Sequence, residues 1–270
     1  MATATANGAP VGEMLRTWRR RRSLSQLELA LDAEVSSRHV SFLETGRSTP
    51  SREMLLHLAE HLAVPLRERN SLLLAAGYAP VYGEHSLSEQ EMEPVRQALE
   101  RFLRAHEPYP ALVLDRHFDL LSANDALGLI VAGVAPELLQ PPANTLRLTM
   151  HPHGMAPRIV NFGEWSGHLL ARLRRQAAST ADPQLDELFE ELRGYPGVGG
   201  SDPGEQAPGT EICLPLRLRD GEAELSFLST ISTFGTAADV TLSELSIEAF
   251  YPADTRTAAR LLEGIGATLS

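Results

Sequence analysis

Ser37, Arg38, Ser41 and Phe42 would share one face of a short helix opened by Ser36. They combine hydroxyl and guanidinium donors with one apolar ring. Such a face suits base-pair edges in the major groove of DNA, which offer acceptors and thymine methyl groups side by side. Two readings of Phe42 stand: contact with a thymine methyl, or cover for neighbouring helices. Catalytic chemistry is much thinner. His151 and His153 lack a third ligand at usable spacing. Asp115, His117 and Asp119 form a polar hairpin tip, which reads as a solvated turn. No G-x-S-x-G elbow, phosphate-binding glycine loop or H-E-x-x-H helix is present. The single cysteine, Cys213, excludes an internal disulfide and a zinc site of several thiolates. The expectation is a protein that is not an enzyme and carries no metal or cofactor.

The elements that must position this face are legible from caps and periodicity. Pro10 opens a first helix with Met14, Leu15 and Trp18 as an apolar stripe beside Arg16 and Arg19 to Arg22. Ser25 caps a second helix, whose inward face is Leu29, Ala30 and Ala33. After a turn, Ser36 caps the third, with Val40 and Leu43 inward. Ser51 opens a fourth around Met54, Leu55, Leu58, Ala59 and Leu62. Pro65 starts a fifth that ends near Gly77. Glu34 occupies the turn between the second and third helices; a left-handed backbone there costs about 1 kcal/mol in any residue but glycine.

At these residues the chain resembles the xenobiotic-response-element (XRE) type of helix-turn-helix regulators, which share the phage-repressor fold. The match runs from about Val11 to Leu62. It includes S-Q-x-x-L-A (Ser25, Gln26, Leu29, Ala30), V-S-x-x-x-V-S-x-L-E-x-G (Val35 to Gly46) and R-x-x-P-S (Arg47, Pro50, Ser51). The resemblance implies a buried structural pair, Arg19 with Glu44. It implies phosphate contacts from Gln26, Thr45 and Arg47, and base contacts from Ser37, Arg38, Ser41 and Phe42, with Ser36 opening the DNA-binding set. It further implies a homodimer that presents its third helices to adjacent major grooves of an inverted-repeat, double-stranded operator about 34 Å apart.

The net charge of −11 looks unsuited to such a partner until it is divided. Residues 1–80 hold 10 Arg against 8 carboxylates, +2, and residues 81–270 hold 14 against 27, −13. The acidity belongs to the second part. There is no Lys, so every side-chain cation apart from histidine is a guanidinium suited to forked phosphate recognition. No stretch approaches about 18 consecutive apolar residues, and Met1 to Pro10 lacks the charged start and apolar core of a signal peptide. A cytoplasmic protein with no membrane partner is expected.

Beyond residue 80 the pattern changes. Ser88 with Glu91 reads as a capping box opening a helix to about Ala105, carrying Val95, Leu99, Phe102 and Leu103. That helix is either a lever between domains or the first layer of a second core. Ala111–Asp115 and Phe118–Ser122 read as a hairpin, with Asn124 capping a helix to about Gly133. Helices follow at 145–151, 163–178 and 183–193. Gly194–Gly209, with 6 Gly and 3 Pro in 16 residues, is a loop. Ile212–Leu218, Ala223–Phe234 and Val240–Tyr251 read as strands, and a final helix begins near Asp254.

Through Pro110–Asn124, Leu146–Gln176 with N-F-G-E-W (Asn161 to Trp165), and Gly221–Pro252, this half resembles the MmyB-like ligand-binding domain. The resemblance implies a PAS-like fold whose pocket takes a small apolar effector. The pocket walls would be Phe118, Leu120, Trp165, Phe227, Ile231 and Ile247, or these residues are simple core. The fold class expected is an all-α, five-helix, phage-repressor-like helix-turn-helix domain, followed by an α+β PAS-like domain with an antiparallel sheet. Its division is a disordered tail at 1–9, the DNA-binding domain at 10–80, a linker and connecting helix at 81–107, and the effector-sensing domain at 108–270. The competing expectation makes the acidic second domain a protein-interaction or dimerisation platform without a ligand.

Overall fold

The computed structural model describes residues 10–198 and 213–268, with side chains through residue 263. The tail at 1–9, most of the glycine-rich loop and the expected strand start at Ile212 lie outside the described residues. Two compact units divide the chain: the first runs to Glu84 and includes Ala238–Val240, and the second begins at His85. No described helix is long and apolar enough to cross a membrane.

The first unit has five helices, α1 (Val11–Arg21), α2 (Gln26–Asp32), α3 (Ser37–Glu44), α4 (Arg52–His61) and α5 (Leu66–Ala75). Short polar side chains start the middle three. Ser25 and Glu28 form a reciprocal capping box, while Ser36 Oγ accepts from the His39 amide and Ser51 Oγ from the Met54 amide. Inward residues at helical spacing, Leu15, Leu29, Val40, Leu43, Leu55, Leu58 and Leu72, are buried together. Glu34 is left-handed, with φ 51°.

The second unit is built on an antiparallel sheet of β1 (Ala111–Leu114), β2 (Leu120–Ala123), β3 (Leu216–Asp220), β4 (Ala223–Thr233) and β5 (Ser246–Pro252), in the order β2-β1-β5-β4-β3. Alternation assigns its two faces. Ala111, Val113, Ile247 and Ala249 pack with Leu99 and Leu103 of α6 (Glu93–His106). Leu112, Leu114, Leu218, Leu225, Phe227 and Phe250 join the larger core. That core is completed by α7 (Leu127–Ile130), α8 (Thr145–Met150), α9 (Phe162–Thr180) and α10 (Pro183–Arg193). Two further helices, α11 (Val240–Glu244) and α12 (Thr255–Thr268), flank β5 in sequence.

Several sequence expectations are corrected. The helix expected at Ser88 starts at Glu93, where Pro94 in the first turn favours initiation, and Ser88 with Glu91 closes no capping box; it is the Ser86 amide that donates to Glu89 Oε1, at 2.9 Å. α6 is the first layer of the second core, since Leu99 and Leu103 cover the sheet. Asn124 caps no helix. It is buried, accepting from the Ala111 amide at 2.9 Å and donating to the carbonyls of Tyr109 and Leu103, so it ties β1 to the segment before it. Residues 240–244 are helical and β5 begins only at Ser246, because a short apolar run does not by itself distinguish the two states.

Candidate functional site: a helix-turn-helix reader and a cavity in the second unit

One buried salt bridge holds the reader together. Arg19 Nε donates to Glu44 Oε1 at 2.5 Å and Nη2 to Oε2 at 2.8 Å, a two-pronged pairing of α1 with the end of α3. Arg19 Nη1 also donates to the Leu24 carbonyl, and Gln26 Nε2 donates to Glu44 Oε2 at 2.8 Å. The carboxylate thus receives three charged or amide donors, which compensates its removal from water. Burial pushes Glu44 up, but Arg19 and Gln26 outweigh it, and the group titrates below the usual carboxylate range. Its hydrogen bond to Glu44 holds Arg19 above the ordinary guanidinium value.

Gly12 lets α1 approach this junction. A methyl group there would meet the Leu43 carbonyl oxygen at 2.3 Å and that of Glu44 at 3.0 Å. No periodicity marks such a residue, because the need for it comes from a neighbour 31 positions away. The Arg19–Arg22 run also divides by role. Arg22 donates to the Leu62 and Ala63 carbonyls at 2.8 Å, satisfying acceptors at the end of α4, while Arg20 and Arg21 are exposed. Two of the four cations that looked alike in sequence are therefore structural.

On the outer face, Ser36, Ser37, Arg38, Thr45 and Arg47 are exposed, and Ser41 and Phe42 half-buried. The Arg38 and Arg47 guanidinium carbons lie 5.1 and 5.8 Å from the centroid of the Phe42 ring. The Thr45 hydroxyl donates to the Ser41 carbonyl at 2.7 Å, and its amide is bonded to the same oxygen. In this arrangement Thr45 offers a phosphate oxygen no free proton; Arg47 does.

In the second unit, a cavity of about 50 Å³ lies between the sheet and α7–α9. That is room for roughly three to five waters. Its walls are mostly apolar, among them Leu112, Leu120, Ile130, Leu146, Trp165, Leu216 and Phe250. Polar groups enter from Thr145, Thr149, Arg172 and Glu248. Both hydroxyl protons are spent on main-chain carbonyls, Thr145 on Phe118 and Thr149 on Thr145. The Arg172–Glu248 pair is the charged feature: Nη1 donates to Oε2 at 2.9 Å, with both side chains nearly buried. Arg172 also lies over the Phe118 ring at 5.1 Å. Next to it, burial, followed by the charges of Arg172 and Arg175, pushes His168 below the usual imidazole range.

Residues 95–263 match the family described as MmyB-like transcription regulator ligand binding domain, and residues 10–72 match the helix-turn-helix domain family. The chain belongs to the MmyB-like transcription regulators. It is also similar to an uncharacterized HTH-type transcriptional regulator of Bacillus subtilis (strain 168), RghRB: 32% identity over 106 residues, 39% of this chain and 68% of that protein. This MmyB-like regulator is thus a DNA-binding transcriptional regulator with a helix-turn-helix and a ligand-binding domain.

Of the pocket walls expected from the sequence of the regulator, Leu120 and Trp165 line the cavity. The other four do not line it: Phe118, Phe227 and Ile247 take the core alternative, and Ile231 takes neither. Phe118 turns the chain between β1 and β2 at φ 67° and supports Arg172 from outside the lining. Phe227 is fully buried core. Ile231 is 46% exposed, beyond the covered part of β4, and Ile247 faces α6 on the opposite side of the sheet. The residues the sequence reading missed, Arg172 and Glu248, are far apart in the chain and oppositely charged. An acidic residue two positions from the apolar Phe250 on the inward face of β5 was the available signal. His151 and His153 have ring centroids 5.4 Å apart, and no group of three metal-ligating side chains occurs among the described residues.

Proposed function

We propose that the regulator binds an inverted-repeat operator as a homodimer, with α3 of each protomer in the major groove, and that a small, predominantly apolar molecule in the second unit's cavity modulates this binding. The observation that carries the DNA half is the outer face of α3. Arg38 and Arg47 are exposed, and among the described residues neither has a carboxylate partner, so both charges remain for DNA. Arg38 reads a base, with guanine the geometric match for its fork. Ser36, Ser37 and Ser41 supply hydroxyls, and Arg47 neutralises a phosphate. Gln26 contributes chiefly by holding Glu44, because its amide nitrogen is already engaged there. The effector half rests on the apolar cavity with Arg172 and Glu248 at its edge. A ligand shifts DNA affinity only as far as it favours one arrangement of the dimer over another.

Selection of binding sequences from random duplex DNA with the full-length protein, at two salt concentrations, tests the first half. An enriched inverted repeat is expected; weak, motif-free binding that collapses with salt overturns base reading by α3. Thermal melts against a panel of small apolar compounds test the second. A cavity ligand raises the midpoint of the wild-type protein and loses that effect when the cavity is filled by Leu146→Phe. A panel without any shift favours the interaction-platform role for the acidic unit.

A further inference from the structure

Arg38 and Arg47 come from different elements, yet their guanidinium carbons lie within 6 Å of the centroid of one ring, Phe42. Arg38 stands one helical turn before Phe42, on the same row of α3. Arg47 arrives from the turn after α3, and that turn is fastened to Phe42 itself: the amides of Arg47 and Ser48 both donate to the Phe42 carbonyl, at 2.9 and 3.2 Å. Both guanidinium groups and the turn that carries Arg47 therefore share one anchor.

The choice of an aromatic ring has a physical consequence. A carboxylate would orient an arginine more strongly but neutralise the charge that a phosphate or a guanine must see. The face of a ring attracts a cation through its quadrupole and leaves its net charge and its hydrogen-bond donors intact. It also restricts two long, rotamer-rich side chains before DNA arrives, so less freedom is lost on binding.

Building on the base-reading role assigned to Arg38, we propose that Phe42 is a positioning residue that holds Arg38 and Arg47 in register for DNA, and not a base-contacting residue. This accounts for a ring on a polar recognition face that is neither fully buried nor fully exposed.

The test uses the full-length protein and the operator obtained by selection, with Phe42→Leu, Phe42→Met, Phe42→Tyr and Phe42→Trp, each checked by thermal melt. Loss of the ring in Leu and Met should weaken operator binding about tenfold, from two weak cation–ring contacts. Tyr and Trp, which keep a ring face, should remain within about threefold of wild type. In an Arg38→Ala/Arg47→Ala background, Phe42→Leu should change affinity less than about twofold, since nothing is left to position. A full tenfold loss in that background would mean that the ring touches DNA directly, and Tyr and Trp variants as weak as Leu would remove any role for its π face; either overturns the proposal. If Leu and Met unfold, Tyr and Trp still decide it: a tenfold or greater loss of operator binding with the ring face kept overturns the proposal. Arg38→Ala alone reports separately on base reading: equal losses on cognate and random duplexes would sink that role without bearing on the anchor.

Discussion

Each unit of this regulator contains a nearly buried arginine–glutamate pair, and the two are built for different ends. In the reader, Arg19 meets Glu44 through both prongs of its fork, donates a third hydrogen bond to Leu24, and shares the carboxylate with Gln26. Every partner is fixed by close helix packing, down to the glycine that admits α1. In the second unit, Arg172 meets Glu248 through one hydrogen bond at the edge of a cavity. The first pair is over-determined and locks a geometry. The second is under-determined, and an arginine with donors to spare beside apolar space is able to take another partner.

Breaking the reader's lock should give the largest effect. Glu44→Ala strands a buried guanidinium, and loss of one partner of such a pair costs about 3 to 5 kcal/mol. Calorimetry of the full-length protein should show the reader's transition falling steeply or vanishing; a drop of only a few degrees would mean that the junction is wetter than its burial indicates. The cavity pair sharpens the contrast. Arg172→Met or Glu248→Gln alone should destabilise the second unit by about 1 to 3 kcal/mol, whereas Arg172→Met with Glu248→Leu should recover most of that loss. The equivalent double change at Arg19 and Glu44 should not recover, because Leu24 and Gln26 lose partners too. Recovery at both pairs, measured by denaturant midpoints, would erase the distinction.

The same contrast explains what could be read in advance. The reader was legible because its signals are local: Ser25, Ser36 and Ser51 each sit just before an apolar periodicity, and a cap needs only its own helix. What escaped was non-local, namely Gly12 against Leu43 and Arg22 on the end of α4. In the second unit the sheet and most helices were visible, but the pocket was not. Ile247 and Phe250 look equally apolar in sequence, and only the presence of α6 on one face and the cavity on the other separates them. The overlapping Ser86/Glu89 and Ser88/Glu91 pairs illustrate a milder failure: both fit the capping pattern, and Pro94 decided where the helix could begin.

On the outer face of α3, charge is expected to act on DNA and not on the fold. Arg38→Ala should leave the melting temperature unchanged while costing about 1 to 3 kcal/mol on the cognate operator and relaxing selection at one base position. Quantitative binding to a set of single-base operator variants checks it. A melting shift of several degrees would place Arg38 in the reader's framework alongside Arg19.

Acid should distinguish lock from surface most delicately. Glu44 titrates below its ordinary range in the folded protein, because Arg19 and Gln26 outweigh the cost of burial. The unfolded chain therefore binds a proton at this group at a higher pH than the folded chain does. The stability it contributes is complete above its unfolded value, about 4.3, and is lost as pH falls through the lower folded value. Glu44→Gln removes that dependence, since the amide does not titrate, and leaves the Arg19 guanidinium without an anionic partner. The expected outcome is a reader less stable than wild type at neutral pH, with the difference narrowing as pH falls below about 4. Melts from pH 7 to pH 3 measure it, and a difference that stays constant across that window would show that Glu44 acts through shape and hydrogen bonding alone, with no protonation linked to unfolding.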